Sequence, residues 1–166
     1  MNNKQNNHES WIEANIAVEI AQEKVSEFNL NSNPDIRNAL NNGYPENPLF
    51  VKQLGEPESA YYLIPWRIIK GVVFIVRVDA SSGDVLEVRT FPKPTPSPFL
   101  SPNDALVYAQ NNFPTYVFGN PKLVWQPCEE STTAMEPFYM IPYNHRMLFV
   151  GMNKNIFHKP TPLKFG

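Results

Sequence analysis

Two hexapeptides constrain this chain more than anything else in it: Tyr61 to Trp66 reads YYLIPW, and Phe138 to Tyr143 reads FYMIPY. Alternating Tyr, Leu, Ile and Phe make strands with two apolar faces. Each hexapeptide also carries a proline at its fifth position, Pro65 and Pro142. Proline donates no N–H to a sheet ladder, so inside a sheet it survives only on an edge or at a bulge. The same edge or bend is therefore expected twice, with the aromatic that follows, Trp66 or Tyr143, at a strand end or corner.

The surrounding sequence repeats in the same order. Ser10-Trp-Ile-Glu13 has the capping-box pattern, and Ile12, Ile16, Ile20, Val25 and Phe28 follow at helical spacing, which predicts an amphipathic helix to about Phe28. After a polar stretch in which DIRNALNN predicts a short helical turn stopped by Gly43, the signals become those of strands. LFVKQL, AYYLIPW, GVVFIVRVD and VLEVRTF are separated by GEPES, RIIKG and ASSGD, an antiparallel meander of four strands. Then PKPTPSPFLSP places proline at 92, 94, 96, 98 and 102, a stiff connector in polyproline-like geometry. Its PxxP spacing also matches ligands of proline-reading domains, a pattern common by chance.

Beyond the connector, Ser101 and Pro102 start a helix, ALVYAQNNF, whose Ala105 to Gln110 echoes Ala17 to Gln22. Pro121 to Gln126 echoes Pro48 to Gln53, FYMIPY echoes YYLIPW, and MLFVGM echoes VVFIV. Four matches in one order predict an internal duplication. Its first copy has about a dozen extra residues between helix and sheet. Its second is degenerate at the end, where NKNIFHKPTPLKFG replaces the glycine hairpin.

The segment AVEIAQEKVSEF followed by VFIVRVDASSGDVLEVRTF resembles a PepSY-type module, with Asp79, Ala80, Ser82, Gly83, Asp84, Val85 and Leu86 in register with that family's strand–hairpin–strand. The resemblance covers residues 15–91. It implies an α+β fold of two tandem cystatin-like/PepSY-like repeats, each a helix packed on an antiparallel β-meander. The expected divisions are a disordered tail at 1–9, repeat 1 at 10–91, a Pro-rich connector at 92–101, and a degenerate repeat 2 at 102–166 packed against repeat 1. The resemblance further implies a non-catalytic role, binding and restraining a peptidase or hydrolase. The Gln-x-Val-x-Gly segment of inhibitory cystatins is absent, since the equivalent hairpin reads LGEPES.

Composition narrows the classes. The 166-residue chain is 42% hydrophobic and 13% aromatic, and its formal net charge is −2 without a basic cluster, so no nucleic-acid partner is expected. MNNKQNNHES has no apolar signal core and no run reaches the length of a membrane span, so the chain as written reads as cytoplasmic, with export open if a leader was trimmed. Cys128 is the single cysteine, which leaves no intramolecular disulfide and no thiolate metal cage. His8, His145 and His158 lack zinc-ligand spacing, and no cofactor is expected.

Cys128 and His145 form the only thiol–imidazole combination, and Glu129 and Glu130 beside the thiol disfavour a thiolate. Adjacent Glu129 and Glu130 read as solvated rather than as an acid/base pair. The surplus of aromatics on or beside the strands, among them Tyr61, Tyr62, Trp125, Phe138 and Tyr139, serves core packing or a binding face. The expected contact surface joins the two equivalent corners: Trp66 and Arg67 with Tyr143, Asn144, His145 and Arg146. The alternative is a small-molecule-binding protein or enzyme using a cavity between helix and curved sheet, lined by Tyr61 and Trp125.

Overall fold

A computed structural model describes residues 11–28, 30, 33–55 and 58–164. Helix α1 (Ala14–Lys24) tightens into a 3-10 turn, Val25–Glu27, and α2 spans Pro34–Asn42. Strands β1 (Tyr44–Pro45), β2 (Leu49–Gln53), β3 (Ala60–Ile68), β4 (Gly71–Asp79) and β5 (Val85–Thr95) follow. Then come α3 (Pro102–Asn112), β6 (Lys122–Trp125), β7 (Phe138–Tyr143), β8 (Arg146–Gly151) and β9 (Ile156–Phe157). The fold is α+β, with, among the described residues, three α-helices and one nine-stranded sheet in the order β5-β4-β3-β2-β6-β7-β8-β9, β1 lying alongside β3. Every pairing is antiparallel except β2 with β6, which run parallel at the middle of the sheet.

That one parallel pair places the helices on opposite faces. Side chains alternate across a strand, so the hexapeptide in β3 sends Tyr62, Ile64 and Trp66 to one face and Tyr61 and Leu63 to the other. Ala17 and Ala21 of α1 pack with Tyr62, Ile64 and Trp66. In β7 the matching positions Tyr139, Ile141 and Tyr143 pack with Ala105 and Ala109 of α3. Lys52 aligns with Val124 and Gln53 with Trp125, which brings Leu123, beneath α3, to the side of Val51 and Tyr61. Helix α3 therefore covers the face opposite α1. All four alanines are fully buried, because only a methyl-sized side chain lets a helix backbone come this close to a sheet.

The prolines sit where the ladder tolerates them. Leu49 is the last β2 residue to pair with β3, opposite Leu63, and β1 resumes opposite Trp66, so Pro65 faces a break between two strands. Its carbonyl accepts the Glu46 N–H at 2.8 Å. Strand β6 likewise ends opposite Met140, and the Pro142 carbonyl accepts the Gly119 N–H at 2.8 Å. Pro45 pairs with Trp66 and Phe118 bridges to Tyr143 at the same step beyond each proline.

Several boundaries differ from the sequence reading, each for a local reason. Ser10 lies outside the described residues, and Glu13, read as its capping partner, is itself the extended N-cap residue, without a side-chain cap bond. The short turn expected at DIRNALNN is a full helix: the Asn33 side chain accepts the Asp35 N–H and Pro34 fills the first turn. The helix ends where Gly43 turns extended, so close to α2 that a Cβ there would lie 2.4 Å from the Ala39 carbonyl oxygen. RIIKG is mostly strand; a bulge after Trp66 carries β3 on to Ile68, opposite Gly71. The supposed connector contributes Pro92–Thr95 to β5, where an edge position accommodates proline. Its remainder is packed down, with Phe99 and Leu100 against the two central clusters.

The ending read as degenerate also forms a hairpin. In the first, Asp79 N–H donates to Asp84 O, Gly83 N–H to Asp79 O, and Gly83 has φ of 76°. In the second, Gly151 N–H donates to Asn155 O, Lys154 N–H to Gly151 O, and Lys154 has φ of 63°. A lysine in the left-handed region costs about 1–2 kcal/mol against glycine, which is why composition did not reveal the turn. Asp79 organises the first hairpin, its Oδ1 accepting from Ser81 N, Ser82 N and Ser81 Oγ. Burial alone would raise its pKa, but these bonds outweigh burial and hold the carboxyl below the usual range.

Candidate functional site

The face of β2–β4 away from α1 is closed by the other half of the chain. Val51, Tyr61, Leu63, Val72 and Ile75 pack against Ala134 and Met135, with Leu123 and Trp125 alongside. The buried Tyr61 hydroxyl donates to the Ala134 carbonyl at 2.7 Å. Trp125 Nε1 donates to Ser131 Oγ at 3.1 Å. Burial pushes the Tyr61 phenol well above its ordinary range and Tyr139, whose hydroxyl donates to Leu100 O, up to about 12. Both are fixed structural phenols. The space expected to hold a small molecule near Tyr61 and Trp125 is filled by these groups, and the α1–sheet seam is filled by Ala17, Ala21, Tyr62 and Ile64.

The thiol and imidazole stand apart. Cys128 follows β6 near the start of β7, while His145 is at the far tip of the β7–β8 hairpin. Cys128 is fully buried beside Val124, Phe138, Phe149 and Phe157, and burial pushes its pKa up. Glu130 accepts from Thr161 N and Oγ1 at 2.9 and 2.6 Å; burial alone would raise its pKa, but these bonds hold it below the usual carboxylate range. Glu129 lies 3.7 Å from Lys164. Among the described residues no three His, Cys, Asp or Glu side chains are placed to hold a metal ion. Cys128 is expected to resist a thiol reagent at neutral pH at least about a hundredfold more than in denaturant, because labelling requires opening of its cluster. Stoichiometric labelling of the native protein at the rate of the unfolded chain would contradict this.

The two predicted corners do not form one surface. Parallel β2 and β6 bring Trp66 and Tyr143 to the same end of the sheet, but on opposite faces. Trp66 is 5% exposed, stacked on Phe74 at 5.4 Å, and its Nε1 donates to the Ala39 carbonyl of α2 at 3.1 Å. Arg67 is half-buried and paired with Glu46. Helix α2, made by the extra residues of the first half, covers that corner.

The second corner lacks such a helix and stays open. Residues 113–117 lead directly from α3 to Phe118, laying Phe113 and Tyr116 over Tyr143. Phe113 and Tyr116 stack at 5.4 Å and 5°, and Tyr116 and Tyr143 at 5.0 Å and 10°. The Tyr143 hydroxyl meets His158 Nδ1 at 3.2 Å. Phe113, Tyr116, Tyr143, Arg146, Met147 and His158 line a concavity of about 530 Å³ open to solvent. Asn144 and His145 form the two-residue hairpin tip beside it, at φ of 41° and 61°, the geometry such turns demand. Arg146 is exposed and in no ion pair among the described residues. Tyr116 and Met147 are 38% and 43% exposed, and Val117 next to them 80%.

Of the six predicted contact residues, the structure thus gathers Tyr143, Asn144, His145 and Arg146 and separates Trp66 and Arg67. It adds Phe113, Tyr116, Met147 and His158. The aromatic-rich FPTYVF after α3 was the available signal, but His158 comes from the tail, and nothing local assigns it to this corner. The corner thus combines stacked rings, the Tyr143–His158 contact and a guanidinium in no ion pair among the described residues. The arrangement defines an α+β protein with an open aromatic corner. No family model matches the chain, and it matches no curated protein and no solved structure.

Proposed function

We propose that this is a non-catalytic protein-binding module of doubled construction, whose contact surface is the aromatic corner of Tyr143. The observation that carries the reading is the exposed ring of Tyr116, stacked between Phe113 and the buried Tyr143, beside Arg146, which is in no ion pair among the described residues. Tyr and Arg dominate interface hot spots because they bring large, rigid, amphipathic contact area with few rotamers to freeze.

The doubling is supported by the matched proline carbonyls, by the paired helix alanines and by the two like hairpins. The resemblance of residues 15–91 to PepSY-type modules extends this reading to the partner: a peptidase or hydrolase held in check by contact. The second half supplies the surface because it has nothing equivalent to α2 over its corner. No cofactor, nucleic acid or membrane enters this role.

A photo-crosslinking residue replacing Met147 is expected to trap a discrete protein from a native lysate, and the same residue at the exposed Ile69 is not. Tyr116→Ala and Arg146→Glu, both at exposed positions, should reduce that adduct at least about tenfold while leaving thermal unfolding cooperative. Identical adducts from both positions, or adducts indifferent to Tyr116→Ala and Arg146→Glu, would remove this surface. Inhibition of a captured peptidase by the native chain, lost in the same variants, would establish the restraining role.

A further inference from the structure

Strand β5 bounds one side of the sheet, and among the described residues no strand pairs with its outer edge. An unpaired edge offers a row of N–H and C=O groups to another strand, and proteins normally blunt such edges. Here Pro92, Lys93 and Pro94 blunt the far end of β5. Residues 87–90 pair with β4 in unbroken register, between a shift at Val85–Glu87 and another beyond Thr90, and Leu86, 44% exposed, and Thr90 stand open on the outer edge.

This stretch has an unusual symmetry. Leu86-Glu87-Val88-Arg89-Thr90 is self-complementary in charge about Val88. When two copies run antiparallel with Val88 opposite Val88, Glu87 of each faces Arg89 of the other, and Leu86 faces Thr90. Glu87 and Arg89 already point to one face of the sheet, where Arg77 lies 3.5 Å from Glu87 and Glu136 lies 2.7 Å from Arg89. Pairing two copies would therefore lay down rows of alternating sign, Arg77–Glu87 of one chain against Arg89–Glu136 of the other, twice over. On the opposite face Leu86 and Val88 of both chains would join into one apolar strip, continuous with the packing of Val88 against the α1 cluster. Opposite charges directly across an antiparallel pair are favourable, and like charges there are not.

We propose that β5 is the interface of a symmetric homodimer, in which two chains join edge to edge into a continuous antiparallel sheet centred on Val88. The contact is isologous and closes after two copies. The other end of the sheet cannot extend it, because β9 has only two residues. This inference is independent of the binding role proposed above. The aromatic corner lies on the far side of the sheet, five strand positions along, roughly 24 Å away at the usual strand spacing, so a dimer would present two corners at once.

The test is sedimentation equilibrium on the full chain, up to about 200 μM, a range that reads micromolar association. The native protein is expected to dimerise. Glu87→Arg alone sets two cations across the axis and Arg89→Glu alone sets two anions, so each should weaken the dimer at least about tenfold. The double variant Glu87→Arg/Arg89→Glu restores opposite signs across the axis while spoiling the pairs to Arg77 and Glu136 within each chain. Recovery of the dimer in the double variant supports the interface; a double variant weaker than either single variant overturns it. A native chain that stays monomeric throughout, or a dimer indifferent to both single changes, also overturns it. Should charge reversal impair folding, Leu86→Cys/Thr90→Cys in an otherwise unchanged chain should form a disulfide-linked dimer under mild oxidation, and a purely monomeric product would count against the proposal.

Discussion

Trp66→Ala is expected to lower the unfolding free energy by about 3–5 kcal/mol. The indole fills the space between β3 and α2, 5% exposed and stacked on Phe74. Its removal leaves a cavity walled by Ala39 and Ile68, which the surrounding backbone cannot collapse to fill. It also strips the Ala39 carbonyl of the indole N–H, although that oxygen keeps the Gly43 N–H. Trp66→Phe should recover more than half of the loss, since the ring on Phe74 is kept. Tyr143→Ala should cost clearly less than Trp66→Ala, because water from the adjoining concavity can occupy the vacated space. Denaturant titration with an unchanged slope and a shifted midpoint would read all three. A Trp66→Ala loss below about 1 kcal/mol would mean that α2 does not rest on the indole as described.

Severing the chain between Pro96 and Ser97 is expected to leave neither fragment with a cooperative unfolding transition, and mixing the two is expected to restore one. The first fragment would expose Val51, Tyr61, Leu63, Val72 and Ile75, whose cover of Ala134 and Met135 belongs to the second. The Tyr61 hydroxyl would lose its acceptor at Ala134. The second fragment would lose the parallel partner of β6 and expose Leu123 and Trp125. The second fragment, roughly 70 residues, buries too little apolar area to offset its chain entropy without help, and the first would carry an uncovered apolar sheet face. Two independently folding fragments would contradict the shared seam.

The alternation in YYLIPW and FYMIPY was legible, as was the need for each proline to meet a gap in the ladder. What alternation could not reveal was how the gap arises: β2 stops short at Leu49, and β6 does so at Lys122. The two corners were legible as equivalents. Their fates were not, because one lies under a helix read as a turn and the other under a loop and a tail residue, His158. The hairpin at Gly151–Asn155 was missed because Lys154 occupies the position that glycine holds in the first half.

By itself the sequence determined much of the local vocabulary: where the main strands fall, where α1 and α3 lie, and that two stretches share one pattern. Those follow from side-chain alternation, capping and turn chemistry, which act over a few residues. Only the tertiary structure decided that β2 and β6 lie side by side and parallel. That single pairing put α1 and α3 on opposite faces and buried Tyr61 between the halves, while α2 covered one aromatic corner and left the other beside an open concavity. Such a pairing joins segments far apart in the chain, and it is selected by the apolar area the whole sheet can bury, which no short window of sequence encodes.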